Sequence, residues 1–166
     1  MERPAGDLLA DKITLTETPL VSLVMTSFNS QRWLEEALAS ALGQTWSNLE
    51  VILVDDCSTD DTVSIALRIA RREPRLRVMR MFSNAGTYVA KNAGMSMARG
   101  EAITFMDSDD HCDRERIAGQ LQLLRNEGLV ATTCNYERRT PSGQLVLNRG
   151  LPARQALISL MIKRQV

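Results

Sequence analysis

Two groups of carboxylates each follow a short apolar run. Asp55-Asp56 comes after Leu49-Glu-Val-Ile-Leu-Val54, and Asp107-Ser108-Asp109-Asp110 comes after Ala102–Met106. Acids gathered in one place repel one another unless a cation or a donor-rich ligand answers them. Mg²⁺ and Mn²⁺ are typically held by one or two carboxylates plus phosphate oxygens, so the second group reads as a site for a nucleoside diphosphate and a divalent metal. Alternation across Ser108 lets Asp107 and Asp109 diverge, one toward a ribose and one toward the metal. Thr26-Ser27-Phe28-Asn29 leaves an earlier apolar run and offers two hydroxyls, an amide and an aromatic face for a base. Asp55 and Asp56 are expected in the same crevice, accepting from a base or ribose. Asp60 and Asp61 read differently, as carboxylates that answer the orphan N–H groups of a helix start.

These residues can meet only if the strands that carry them lie side by side. Val21–Met25, Leu49–Val54, Leu76–Met81 and Ala102–Met106 read as four strands. Between the first two, Ser30 reads as the cap of a helix whose face is Trp33, Leu34, Ala37, Leu38, Ala41 and Leu42, ending at Gly43. A second helix opens at Ser58, with Asp61 at capping-box spacing, a face of Val63, Ala66, Leu67 and Ala70, and a stop at Pro74. Val89, Ala93 and Met97 mark a third helix before Gly100. Asp113 caps a fourth, with Ile117, Leu121 and Leu124 as its stripe and Gly128 as its end. Val130–Tyr136 and Gln144–Leu147 read as a strand pair turning at Pro141-Ser-Gly143, and Ala156, Leu157, Leu160 and Met161 as a last helical face. Repeated strand–helix alternation implies an α/β fold: a mostly parallel sheet covered by helices on both faces, made mixed by the late hairpin. Residues 1–19, polar and containing Pro4 and Pro19, read as a tail or linker before a domain spanning 20–166.

Composition narrows the function classes. A chain of 166 residues is one domain with room for a core. Twenty basic against twenty acidic residues leave no net field, which argues against a nucleic-acid footprint. No apolar stretch approaches the ~18 residues of a transmembrane helix, and the N-terminus carries no secretory pattern, so a cytoplasmic location is expected. Cys57, Cys112 and Cys134 have unrelated spacings and read as reduced thiols. His111 reads as a hydrogen-bonded neighbour of the acids. Arg71, Arg72, Arg75, Arg77 and Arg80 read as a solvated helix end and strand edge.

Several segments together resemble family 2 glycosyltransferases: Val21 through Asn29, Gln44-Thr45, Val54 through Asp60, Asn84-Ala-Gly86, Lys91-Asn92, and Gly100-Glu101 through Asp110. They occur in that family's order and spacing, and Gly86 through Gly94 looks closest to bacterial enzymes that build surface polysaccharides. The resemblance implies the GT-A fold, a nucleotide-sugar donor (a UDP-sugar), a saccharide acceptor, Mn²⁺ or Mg²⁺, inversion at the anomeric carbon, and a place in the cytoplasm peripheral to the inner membrane. By position, Thr26 and Phe28 match residues that line the base, and Asp56 the acid that pairs with uracil. Lys91 falls near the base and diphosphate, Asp107 at the ribose, and Asp109 at the metal. Cys57 stands where the family frequently has glycine, so that turn is expected to differ slightly. The family's general base is an acid well downstream of Asp-x-Asp. No acidic pair follows Asp113, and Glu127 and Glu137 lack a suitable context. The base is therefore expected beyond Val166, which makes this the nucleotide-binding half of a longer enzyme. The alternative is a nucleotide-sugar-binding module without transfer activity, since loss of a base forfeits roughly 10²–10⁴-fold in rate. A phosphoacceptor signalling domain fits less well, because a whole strand–helix unit precedes the acidic pair.

Overall fold

The computed structural model describes residues 15–126, 131–134, 136–139, 145–149 and 161–163. Seven-residue strands β1 (Val21–Ser27) and β2 (Leu49–Asp55) are buried at every position, the pattern of central strands covered on both faces. With β3 (Leu76–Arg80) and β4 (Ala102–Asp107) they form a parallel array in the order β3-β2-β1-β4.

The helices α1 (Leu34–Leu42), α2 (Thr62–Ala70), α3 (Thr87–Met97) and α4 (Arg116–Asn126) follow as expected. On one side of the sheet, Leu23, Met25 and Leu53 pack with Leu34 and Leu38 of α1, Ala66 of α2, and Ile117 and Leu121 of α4. On the other, Val24, Ile52 and Val54 meet Ala90 of α3, and Met79, Met95 and Met97 fill the edges. The α/β architecture with helices on both faces holds.

The C-terminal elements differ from expectation. The predicted strand over 130–136 divides into β5 (Ala131–Thr132) and β6 (Tyr136–Arg139). The hairpin of β6 with β7 (Leu145–Arg149) is a separate two-stranded sheet and does not make the main sheet mixed. That character comes from β8 (Met161–Lys163), antiparallel to both β4 and β5. Met161 is therefore strand and not helix, because pairing along the β4 edge decides the conformation of so short a segment. Pro141, Ser142, Gly143, Ala156, Leu157 and Leu160 lie outside the described residues.

Two helical faces are rotated from the reading. In α2, Thr62 and Ala66 are buried, Ile65 and Ile69 pack against the core, and Leu67 is 47% exposed. The helix starts at Thr62 because Asp60 accepts from the Thr62 N–H and hydroxyl and from the Gln31 N–H. Ser58 is spent on Asp55 instead of a cap. In α3, Val89 is exposed while Ala90, Lys91 and Gly94 are buried. Small residues let this helix lie close to the sheet: a Cβ at Gly94 would sit 2.4 Å from Val24 Cγ1.

Ser30 does not cap α1, whose first turn has no side-chain cap. Within the expected tail, Leu15 joins the core, Trp46 Nε1 donates to Pro19 O at 3.1 Å and Asn48 Nδ2 to Thr18 O at 2.7 Å, so residues 15–19 are docked on the domain. The arginine run is likewise more than solvated surface. Arg71 and Arg72 are exposed, but Arg75 pairs with Glu73, Arg77 Nη1 reaches Glu50 Oε2 at 3.1 Å, and Arg80 Nη2 reaches Ser58 O at 2.9 Å. Burial alone would raise the Glu50 pKa, but bonds from Ser22, the Arg99 N–H and Arg77 together hold it below the ordinary value.

Gly100 marks where the chain enters β4. A Cβ there would lie 2.6 Å from Ser22 N, 2.7 Å from Leu20 O and 2.8 Å from Ala102 O, all backbone atoms that cannot swing aside. Gly100→Ala is expected to destabilise the protein by about 3 kcal/mol, read as a fall in the denaturant midpoint at unchanged slope.

Candidate donor site at the β1–β4 switch point

From β1 the chain proceeds outward through β2 and β3, and α3 then returns it to β4 on the other side of β1. The strand order thus reverses between β1 and β4, and in an open parallel sheet the crevice beyond such a reversal is where ligands bind. Thr26 and Asp107 are register partners at that point.

Three of the expected site residues converge there. Thr26 Oγ1 donates to Asp107 Oδ1 at 3.1 Å, and Lys91 Nζ approaches the same oxygen at 3.0 Å. Lys91 is 8% exposed, so its charge relies on that carboxylate.

Asp56 explains how Lys91 arrives. Its two carboxylate oxygens accept from the Ala85 N–H at 2.8 Å and the Gly86 N–H at 2.7 Å. Those bonds hold the loop entering α3, where Gly86 adopts φ +88°, and Lys91 follows one turn later. Asp56 is itself buried, 4% exposed, and each of its oxygens keeps a second lone pair.

Asp55 does not face the crevice. It is fully buried, accepting from the Ser58 N–H at 2.9 Å, the Ser58 hydroxyl and Ser27 Oγ at 3.4 Å. Closing this local turn is a stronger demand on a buried carboxylate than ligand contact. Cys57 takes φ +66°, so the turn keeps the left-handed conformation glycine would adopt, at a strain of about 1–2 kcal/mol.

Beyond Asp107 the acids open to solvent, and Asp109, Asp110 and His111 are exposed. Protein packed around the Asp110 carboxyl removes part of its hydration, and the charges of Asp107 and Asp109 act in the same direction, so its pKa is raised. Among the described residues, no three His, Cys, Asp or Glu side chains form a self-sufficient metal cage. Hard carboxylate oxygens that crowd one another beside a crevice fit Mn²⁺ or Mg²⁺ shared with a diphosphate, which needs only one or two protein ligands. Phe28 is 50% exposed past the end of β1.

Sequence reasoning missed two supports. Ser30 Oγ and Ser108 Oγ lie 2.6 Å apart, joining the loop after β1 to the middle of Asp107-Ser108-Asp109. No local pattern pairs the two serines, which are 78 residues apart in the chain. Gln44 has no role legible from its spacing, and the structure buries it against the loop after β4.

Residues 22–159 match the family described as Glycosyl transferase family 2. The chain belongs to that family. A relative from Haemophilus influenzae, described as an uncharacterized glycosyltransferase, is 36% identical over 118 residues, covering 71% of this chain and 47% of the relative. The Escherichia coli protein named UDP-Glc:alpha-D-GlcNAc-diphosphoundecaprenol beta-1,3-glucosyltransferase WfaP is 32% identical over 117 residues, covering 70% of this chain and 46% of its own. The chain thus spans about half the length of the curated relatives it matches. The mannosyltransferase PcManGT from Pyrobaculum calidifontis, solved in complex with GDP-Man and Mn²⁺, superposes with a TM-score of 0.67 at 28% identity, over 74% of this chain and 37% of that one. The fold is the GT-A arrangement that the resemblance implied. No described helix is long and apolar enough to cross a membrane.

Proposed function

We propose that this chain supplies the donor site of a metal-dependent, inverting glycosyltransferase that uses a UDP-sugar and a saccharide acceptor. The observation that carries the reading is the convergence of Thr26, Lys91 and Asp107 at the β1–β4 switch point, with Asp109 two residues further on. In this reading Thr26 and Phe28 line the base, and Asp56 accepts the uracil N3–H with its remaining lone pairs. Lys91 and Asp107 form one unit: the ammonium sits near the diphosphate while the carboxylate accepts from a ribose hydroxyl. Asp109 is the metal ligand. When bound, Mn²⁺ or Mg²⁺ offsets the charge that develops on the departing diphosphate.

Inversion means that the acceptor hydroxyl attacks the anomeric carbon from the face opposite the nucleotide. A family relative named as a β-1,3-glucosyltransferase using UDP-Glc supports a UDP-linked donor, and the relative holding GDP-Man and Mn²⁺ supports the metal. Calorimetric titration of UDP and of GDP, with Mn²⁺ and again with EDTA, tests the reading. UDP is expected to bind with Mn²⁺ and to lose at least about 100-fold in affinity with EDTA, the effect of a charge-assisted contact worth about 2–3 kcal/mol. A folded protein that binds neither nucleotide rejects the reading, and tighter binding of GDP corrects the base.

A further inference from the structure

We propose that Gln44 is a positioning residue for Asp109, acting through the loop between β4 and α4; the proposal rests on the donor-site reading above. Residues 108–115 lie outside any helix or strand, and Asp109 is exposed within them. The direction of its carboxylate therefore depends on how the two ends of this stretch are held.

The entry is held by the first strand and the loop after it. The Ser108 N–H donates to Thr26 O at 3.1 Å, and its hydroxyl meets Ser30 Oγ at 2.6 Å. The exit is held by α1 and the turn that follows. The Cys112 N–H donates to Ser40 Oγ at 3.0 Å. Gln44 Nε2 donates to Asp113 O at 2.7 Å and to Ser40 O at 3.2 Å, with Cys112 Sγ alongside at 3.2 Å. Gln44 Oε1 accepts from the Ile117 N–H at 3.1 Å. Thr45 extends the seam, its N–H donating to Arg114 O at 3.0 Å.

One side-chain amide thus ties together the last turn of α1, the acidic loop and the first turn of α4. Gln44 is 7% exposed, so its bonds are largely shielded from water and costly to lose. The chemistry is specific to an amide. Its NH₂ faces two carbonyls and its oxygen faces an N–H; a carboxylate would turn lone pairs toward the carbonyls, and an aliphatic chain would leave all three backbone groups without Gln44. Because Leu34, Leu38 and Ala41 anchor α1 in the core, Gln44 references the loop to a rigid body. Thr26, Lys91 and Asp107 are held by bonds that do not involve it.

The test compares wild-type protein with Gln44→Met, which keeps the volume, and Ser40→Ala, a milder change that removes the acceptor for Cys112 and the hydroxyl's own bond to Ala37 O. UDP affinity is measured with Mn²⁺ and with EDTA. Gln44→Met is expected to lose about 10–100-fold in the Mn²⁺-dependent affinity, the usual scale for groups that orient a metal ligand. Its EDTA affinity should stay within about twofold of wild type, and Ser40→Ala should move the same way by less. Equal losses with and without metal, or no loss in either variant, overturn the proposal, because a purely structural role does not separate the two conditions. Wild-type binding that ignores the metal overturns the donor-site reading itself and takes this proposal with it. Hydrogen exchange then still tells whether Gln44 holds the loop, through faster exchange at Cys112 and Ile117 in Gln44→Met.

Discussion

Asp109→Ala is expected to lower the Mn²⁺-dependent affinity for UDP by about 100-fold while leaving the affinity in EDTA and the melting temperature unchanged. The size follows from losing a charged contact to the metal, worth about 2–3 kcal/mol. The selectivity follows from where Asp109 stands. It is exposed on a loop, whereas the neighbouring Asp107 is tied to Thr26 and Lys91. Removing a surface carboxylate outside a packed network alters stability by no more than about 0.5 kcal/mol. It also relieves Asp110, whose pKa is raised by lost hydration and by the charges of Asp107 and Asp109. In the alanine variant the Asp110 carboxyl should therefore titrate at a lower pH, visible by NMR. Calorimetry decides the main point: unchanged Mn²⁺-dependent binding would remove Asp109 from the site, and an equal loss in EDTA would make its role structural.

Lys91→Met should give the complementary result. The ammonium is buried and lies 3.0 Å from Asp107 Oδ1, so it is both an internal ion pair and the cation nearest the expected diphosphate. Methionine keeps most of the aliphatic volume and removes the charge. Asp107 is then left beside Asp109 and Asp110 without its cation, at a cost of about 1–3 kcal/mol, tempered because the Asp107 side chain is 26% exposed. UDP affinity in EDTA is expected to fall about tenfold or more, unlike in Asp109→Ala, because this cation acts whether or not metal is present. Lys91→Arg should recover part of the charge and little of the geometry, since a planar guanidinium does not occupy the volume of an ammonium. Reduced stability with wild-type UDP affinity would reassign Lys91 to the core alone.

The two aspartate clusters were legible because each follows a run of apolar residues long enough to cross a sheet, and such runs are local. Burial at every position of β1 and β2 agrees with those mostly apolar runs, and it takes Ser22 and Glu50 inside with them. Asp55 shows the limit. As a residue type it matched Asp56 at the end of the same strand, yet a close serine at position 58 satisfied it locally, while Asp56 went to a loop thirty residues away at Gly86. Hydrophobic period also misjudged α3. Val89 is larger than Ala90 or Gly94 and would gain more by burial, but only small residues allow a backbone to approach Val24 so closely. For β8, three residues carry no period at all, and pairing with β4 decided them.

By itself the sequence determined which segments are buried strands, that they alternate with helices, and that acids gather at two strand ends. Each of these follows from side-chain chemistry along a short stretch of chain. Only the tertiary structure decided that β1 and β4 are neighbours, which brings Thr26 to Asp107 across eighty-one residues of chain. It also decided that Lys91 is buried against Asp107 and that Gln44 is bonded to the loop carrying Asp109. These contacts depend on strand order and on how closely helices approach the sheet. Both are set by packing the whole domain at once, and no local pattern encodes them.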